Sequence, residues 1–212
     1  LPQYELLLRI PDHDGDAITA SVFMPMAERM GLATVIDKVA ICKLLEHMET
    51  ENDSQSAYAV NLSSGSLHNP AFRQWLYQRL QSAPACATRL FIEFPEYGAL
   101  INIQDTRDFI ERLGKLGCHC GLDHFGRGFY SIGHLRDVRV RYLKIDSSFT
   151  RDIDREEDNQ FLIQALTKAA HSVDIAVIAQ AVESSAERNT LENMQIDAIQ
   201  GSLTARPQPL KT

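Results

Sequence analysis

The chain has 212 residues, of which 44% are apolar and 23% charged, and its net charge is −7 at pH 7. That length supports one large domain with its own core, and the acidic balance argues against a nucleic-acid polymer or an anionic membrane surface as partner. No apolar run approaches the ~20 residues of a membrane helix, and the N-terminus carries no signal-peptide pattern, so any membrane anchor is expected outside these residues.

In chain order, short apolar runs alternate with helical patterns. The first run, Tyr4–Leu8, carries Glu5 and leads to Arg9. An amphipathic stretch over Val35–Met48 precedes a polar loop, Asn52–Ser56, expected to be solvated, and then the run Tyr58–Leu62 with Asn61. Leu90–Phe94 carries Glu93. In Asp105–Leu116, Phe109, Leu113 and Leu116 recur at helical spacing, with Asp105 expected as N-cap and Gly117 as the stop. His119–Asp123 ends on Asp123, and Tyr142–Ile145 carries Lys144 and leads to Asp146. Glu157–Val173 is expected to place Phe161, Leu162, Ala165, Leu166 and Ala169 on one face. Val177–Ala179 leads to Gln180 and Glu183, and Ala198–Ile199 to Gln200.

Buried strands alternating with helices predict an α/β fold with a largely parallel sheet. No glycine-rich nucleotide loop follows the first strand, which favours a (β/α) barrel over a doubly wound sheet. With no repeat or linker, residues 1–212 are expected to form a single domain.

Two groups of residues could carry chemistry. Cys118, His119 and Cys120 resemble a fragment of a zinc set, but no second Cys/His pair completes it, and a buried-core role is expected. With Cys42 and Cys86 they lack a disulfide framework and suggest a reducing compartment. The second group is the succession Glu5, Asn61, Glu93, Asp123, Lys144 with Asp146, Gln180 with Glu183, and Gln200. Each alone reads as a cap or a loop hydrogen bond. In a barrel, however, the carboxyl ends of the strands converge on one face, and oxygen ligands of this kind suit Mg²⁺, Mn²⁺ or Ca²⁺. Lys144 would orient a water or a phosphate oxygen.

The segments "YELLLR" (4–9), "FMPMAERMGL" (23–32), "NLS" (61–63), "IEFPE" (92–96), "DHFGRGFYS" (123–131), "YLKID" (142–146), "VIAQAVES" (177–184) and "QGSLTARP" (200–207) stand in an order that resembles the EAL domain. That family comprises cyclic di-GMP phosphodiesterases and their inactive relatives, built as a modified TIM (β/α)8 barrel. The family's first strand would precede "YELLLR", so the barrel as given is expected to lack it. The helix that follows Arg206-Pro207 in the family is expected to be short or missing.

The resemblance implies a site for two divalent cations. Glu5, Asn61, Glu93 and Asp123 would be the first metal's ligands, here vestigial, with residual Mg²⁺ or Mn²⁺ binding. The second metal needs an acid after Asp123 and a glutamate in the later Ala-Glu-Gly-Val-Glu segment. Those positions hold His124 and Gln180. Neither brings negative charge, and Gln180 cannot act as a base. The resemblance therefore implies a catalytically inactive domain that needs no cofactor. The alternative is a weak metal-dependent phosphodiesterase with His124 as a substitute ligand.

Cyclic di-GMP remains the implied ligand. Arg9 would pair with a phosphate, Leu6, Phe23 and Pro25 would line the pocket, and Glu183 and Gln200 would reach guanine or ribose. Lys144, Asp146 and Arg206 complete the implied ligand-binding set. Gly126 and Gly128 permit a tight turn, whose surface Arg127, Phe129 and Tyr130 alter. The chain looks most like the degenerate EAL domains of LapD-type receptors. That likeness implies a homodimer, an adjacent degenerate GGDEF domain and signalling helix, and the cytoplasmic side of an inner-membrane protein. The implied output is control of adhesion and biofilm by release of autoinhibition.

Overall fold

The computed structural model describes residues 1, 4–13, 16–50, 55–128 and 132–210. Nine strands lie among them: β1 (Tyr4–Leu6), β2 (Arg9–Pro11), β3 (Ala17–Thr19), β4 (Tyr58–Asn61), β5 (Leu90–Pro95), β6 (His119–Phe125), β7 (Tyr142–Ile145), β8 (Ala176–Ala179) and β9 (Ala198–Ile199). Every apolar run read from the sequence contains a strand. The described residues fall into two compact units, one of Leu1–Phe94, Glu111–His119 and the residues from Pro209, the other of Pro95–Ile110 and Cys120–Gln208.

In the first unit β1, β4 and β5 run parallel, with Tyr4 opposite Tyr58 and Asn61 opposite Glu93. Ala59, Val60, Ile92 and Phe94 are buried, as parallel strands covered on both faces require. The helix Ala33–Thr50 supplies Ala40, Ile41, Leu44, Leu45 and Met48 to this core. A second helix, Pro70–Gln81, starts with Asn69 as N-cap, its side chain accepting from Phe72 N at 3.0 Å, and with Pro70 in the first turn. Its Phe72, Leu76 and Leu80 recur every four residues and are buried.

Several details differ from the sequence reading. The first strand stops at Leu6, and Arg9–Pro11 pairs antiparallel with Ala17–Thr19 as a hairpin. Asp12 closes its turn, Asp12 N donating to Asp16 O and Asp16 N to Asp12 Oδ1, each at 2.8 Å. Of the loop expected to be solvated, residues 52–54 lie outside the described residues, and Ser56 is buried with its carbonyl bonded by Arg89 at 2.9 Å. The helix Ile103–Lys115 begins two residues before Asp105, because Asn102 Oδ1 accepts from Asp105 N and takes the capping role. Gly117 does end that helix, at φ +91°, with Cys118 N bonded back to Leu113 O.

In the second unit β6, β7, β8 and β9 are parallel and successive neighbours, with Gly121 opposite Tyr142, Tyr142 opposite Ala176 and Ala179 opposite Ile199. A Cβ on Gly121 would fall 2.5 Å from the Tyr142 ring, so the fully buried tyrosine requires glycine there. The helix Glu157–His171 turns Ile163, Leu166, Thr167 and Ala170 inward, whereas Phe161 is 78% exposed. Its buried stripe thus lies one or two residues beyond the predicted Phe161 face. Cys118 and Cys120 are both buried. Residues 205–210 form no helix.

Candidate functional site

In the first unit β1, β4 and β5 carry Glu5, Asn61 and Glu93. Asn61 Nδ2 donates to Glu5 Oε1 at 2.5 Å, and Leu62 N donates to Glu93 O at 2.7 Å. Glu93 is fully buried, Glu5 half-buried and Asn61 exposed. Their oxygens are of the type Mg²⁺ or Mn²⁺ takes. Of the residues expected to bind the nucleotide, Leu6 and Phe23 are half-buried, whereas Pro25 and Arg9 are exposed. Arg9 belongs to the hairpin and donates to Leu8 O at 2.9 Å. Pro25 lies inside the helix Ala20–Arg29.

The sequence reading missed the residue that holds this group's loop. Asp37, 2% exposed, accepts from Ser63 N at 2.9 Å and from Ser63 Oγ at 2.6 Å. Ser63 in turn caps the short helix Ser64–Leu67, immediately after Asn61 and Leu62. Burial pushes the Asp37 carboxyl upward, and the bonds from Ser63 and Ser66 offset only part of that.

The second unit holds the remaining strand ends. Pairing of β6 with β7 shifts register between Leu122 and Phe125, so two residues, Asp123 and His124, oppose Lys144 alone. Such a bulge re-aims side chains that would otherwise alternate across the sheet. His124 accommodates it with φ +54°. As a result Asp123, 5% exposed, and His124 act in one polar cluster.

Its bonds are specific. Asp123 Oδ1 accepts from His124 N at 2.9 Å and from Gln180 Nε2 at 2.8 Å. His124 Nδ1 lies 2.8 Å from Asp146 Oδ2, and Nε2 lies 3.5 Å from Asp123 Oδ2. Asp146 Oδ1 also accepts from Ser148 N at 2.9 Å, with Arg127 Nε at 3.5 Å. Burial acts to raise Asp146, but the Ser148 and His124 bonds and the Arg127 charge outweigh it and hold the carboxyl below its usual range. An ionised carboxylate only accepts, so His124 Nδ1 carries the proton.

These contacts decide how well a second cation suits the cluster. A hard dication needs oxygen ligands with negative charge. Gln180 instead turns its donor toward Asp123, and His124 spends Nδ1 on Asp146. So placed, neither Gln180 nor His124 offers a charged oxygen to a second cation. Lys144 is 2% exposed in β7, while Glu183 and Arg206 are exposed and Gln200 is half-buried.

Two further carboxylates were not singled out by the sequence. Glu96, 3% exposed, accepts from Gly126 N at 3.1 Å and Gly128 N at 3.2 Å, pinning the turn that follows Asp123. Burial raises its carboxyl, and the two N–H bonds partly counter that. Phe129 and Tyr130 lie outside the described residues. Glu187 gathers backbone N–H groups from the segments after β7 and β8. Sequence offered a signal for it, a serine followed three residues later by glutamate.

Comparisons to known proteins agree with the family that the motifs resemble. Residues 1–207 match the EAL domain family. The chain is 31% identical to the cyclic di-GMP phosphodiesterase PdeF of Escherichia coli over 209 residues, which is 98% of this chain and 28% of PdeF. It thus spans less than a third of that relative's length. Vibrio cholerae LapD, an S helix–GGDEF–EAL structure bound to c-di-GMP, superposes with a TM-score of 0.86 at 26% identity, covering 94% of this chain and 48% of LapD. The FimX EAL domain from Pseudomonas aeruginosa bound to c-di-GMP gives 0.87 at 27% identity, covering 96% and 83%. These likenesses carry the α/β fold of EAL type. The chain belongs to the EAL domain family.

Proposed function

We propose that the chain is a single degenerate EAL domain that binds cyclic di-GMP without hydrolysing it. The observation that carries this reading is the Gln180–Asp123 bond of 2.8 Å, together with the His124–Asp146 contact of 2.8 Å. Side chains that would have to be anionic and free for a second cation are neutral or already engaged. Without that cation, little remains to lower the pKa of an attacking water.

Retention of the nucleotide is supported by the c-di-GMP bound to LapD and FimX. Arg9, Phe23, Glu183 and Gln200 would contact it, Arg9 through a phosphate. The domain would act as a receptor module beside a degenerate GGDEF domain and a signalling helix, as in the S helix–GGDEF–EAL arrangement of LapD. It would form a homodimer, sit on the cytoplasmic side of an inner-membrane protein, and control adhesion and biofilm by release of autoinhibition. Among the described residues no helix is long and apolar enough to cross a membrane.

A weak phosphodiesterase is the second reading, favoured by the name of PdeF and by retention of Glu5, Asn61, Glu93 and Asp123. Calorimetric titration with cyclic di-GMP in EDTA, followed by assay for linear pGpG with Mn²⁺, separates the two. Micromolar or tighter binding without product supports the receptor; absence of binding at high micromolar nucleotide sinks it.

A further inference from the structure

Glu187 is 5% exposed, yet its carboxylate is shared between two loops. Oε2 accepts from Glu183 N at 2.8 Å and from Ser184 N at 2.9 Å, while Oε1 accepts from Asp152 N at 3.0 Å. The Ser184 bond belongs to a capping box, completed by Glu187 N donating to Ser184 Oγ at 3.2 Å. A capping box satisfies the donors of one helix start and needs nothing further. Asp152, however, is 35 residues earlier, in the segment after β7 and the helix Ser147–Thr150.

A second link joins the same two segments. Thr150, fully buried, donates its hydroxyl to the Gln180 carbonyl. Segment 180–184 is thereby held at both ends, and Val182 N reaches Gln200 O at 3.0 Å between them. Asp152 at φ +54° and Ala181 at φ +57° adopt left-handed backbone, which non-glycine residues keep only where surrounding bonds hold them.

We propose that Glu187 is a positioning residue that locks the loops after β7 and β8 into one unit, fixing Gln180 and Glu183 for the ligand. The ligand's identity rests on the cyclic di-GMP reading above. Glu187 itself touches no nucleotide; it acts through backbone.

The test compares Glu187→Gln with Ser184→Ala, which weakens the helix cap but leaves the three acceptor bonds. Amide hydrogen exchange is read by NMR without nucleotide, and cyclic di-GMP affinity by calorimetry. In Glu187→Gln the amides of Asp152 and Glu183 are expected to exchange at least tenfold faster, together, and affinity to fall at least tenfold. Ser184→Ala is expected to keep affinity within twofold. Release of Glu183 without Asp152 would reduce Glu187 to a helix cap and overturn the proposal. So would unchanged affinity with both loops released, or an equal loss in Ser184→Ala. If the unsubstituted protein binds no cyclic di-GMP, the receptor reading fails, and the exchange result alone decides whether Glu187 joins the loops. Should Glu187→Gln not fold, Thr150→Val removes the second link at near-constant shape. Its expected loss is at least threefold in affinity, and no loss overturns the proposal.

Discussion

Gln180 Nε2 donates to Asp123 Oδ1 at 2.8 Å, which makes position 180 a hydrogen-bond partner of the first acid rather than a second acid. Gln180→Glu would set two carboxylates against each other. The lost bond and the repulsion together cost about 1–3 kcal/mol, and for a chain of this size each kcal/mol lowers Tm by roughly 2–4 °C. Melting in EDTA should therefore fall by several degrees, and Mn²⁺ should restore it only in Gln180→Glu combined with His124→Asp. That double variant should also raise Mn²⁺-dependent hydrolysis by orders of magnitude. Equal melting of parent and variants with and without Mn²⁺ would count against this account of the cluster.

Gly201 packs so closely on Val182 that a Cβ would overlap the Val182 backbone nitrogen and carbonyl. Backbone cannot step aside as a flexible side-chain end does. Gly201→Ala is expected to cost about 3 kcal/mol or more and to displace Gln200 and Val182 together. Thermal melting checks this, and a Tm within a degree of the parent would refute it.

The strands were legible because their apolar runs are short, buried and bounded by turns, and Asp123 was legible because it ends such a run. The bulge that brings His124 into play was not, since register between strands is a tertiary property. The β2–β3 hairpin was hidden because Tyr4–Leu8 reads as one apolar run and no second run was read between Arg9 and Thr19. The helix Pro70–Gln81 carried a readable start, Asn69 before Pro70, that passed unused. Asp37 looked like the polar face of an amphipathic helix. Only its burial against Ser63 reveals its task.

Acid should expose the role of Glu187. Burial alone would raise its carboxyl, but the N–H groups of Glu183, Ser184 and Asp152 hold it below the ordinary value of 4.5. A lowered pKa stabilises the fold above the unfolded value and is lost as pH falls through the folded one. The Tm gap between parent and Glu187→Gln should be full above pH 4.5 and narrow steadily below it. Glu96 and Asp37 are raised by burial and act oppositely, favouring the fold at low pH and losing that contribution as pH climbs. A gap that does not change between neutral and acid pH would contradict the assignment for Glu187.

Thiol chemistry should follow burial. Cys118 is buried and its thiol is pushed up to about 12, and burial also raises Cys86. Cys42 is half-buried. Since the thiolate is the reactive species, iodoacetamide near pH 8 should alkylate Cys42 first in the folded protein. Peptide mass spectrometry checks the order. Labelling of Cys118 at the rate of Cys42 would be the contrary result.

Ligand retention without turnover is what would make this domain a receptor. The most direct measurement incubates the protein with cyclic di-GMP and excess Mn²⁺ and resolves the nucleotides by chromatography. Cyclic di-GMP should be recovered intact after many times the period in which an active phosphodiesterase would exhaust it. Steady conversion to linear pGpG, lost on Asp123→Ala, would contradict it.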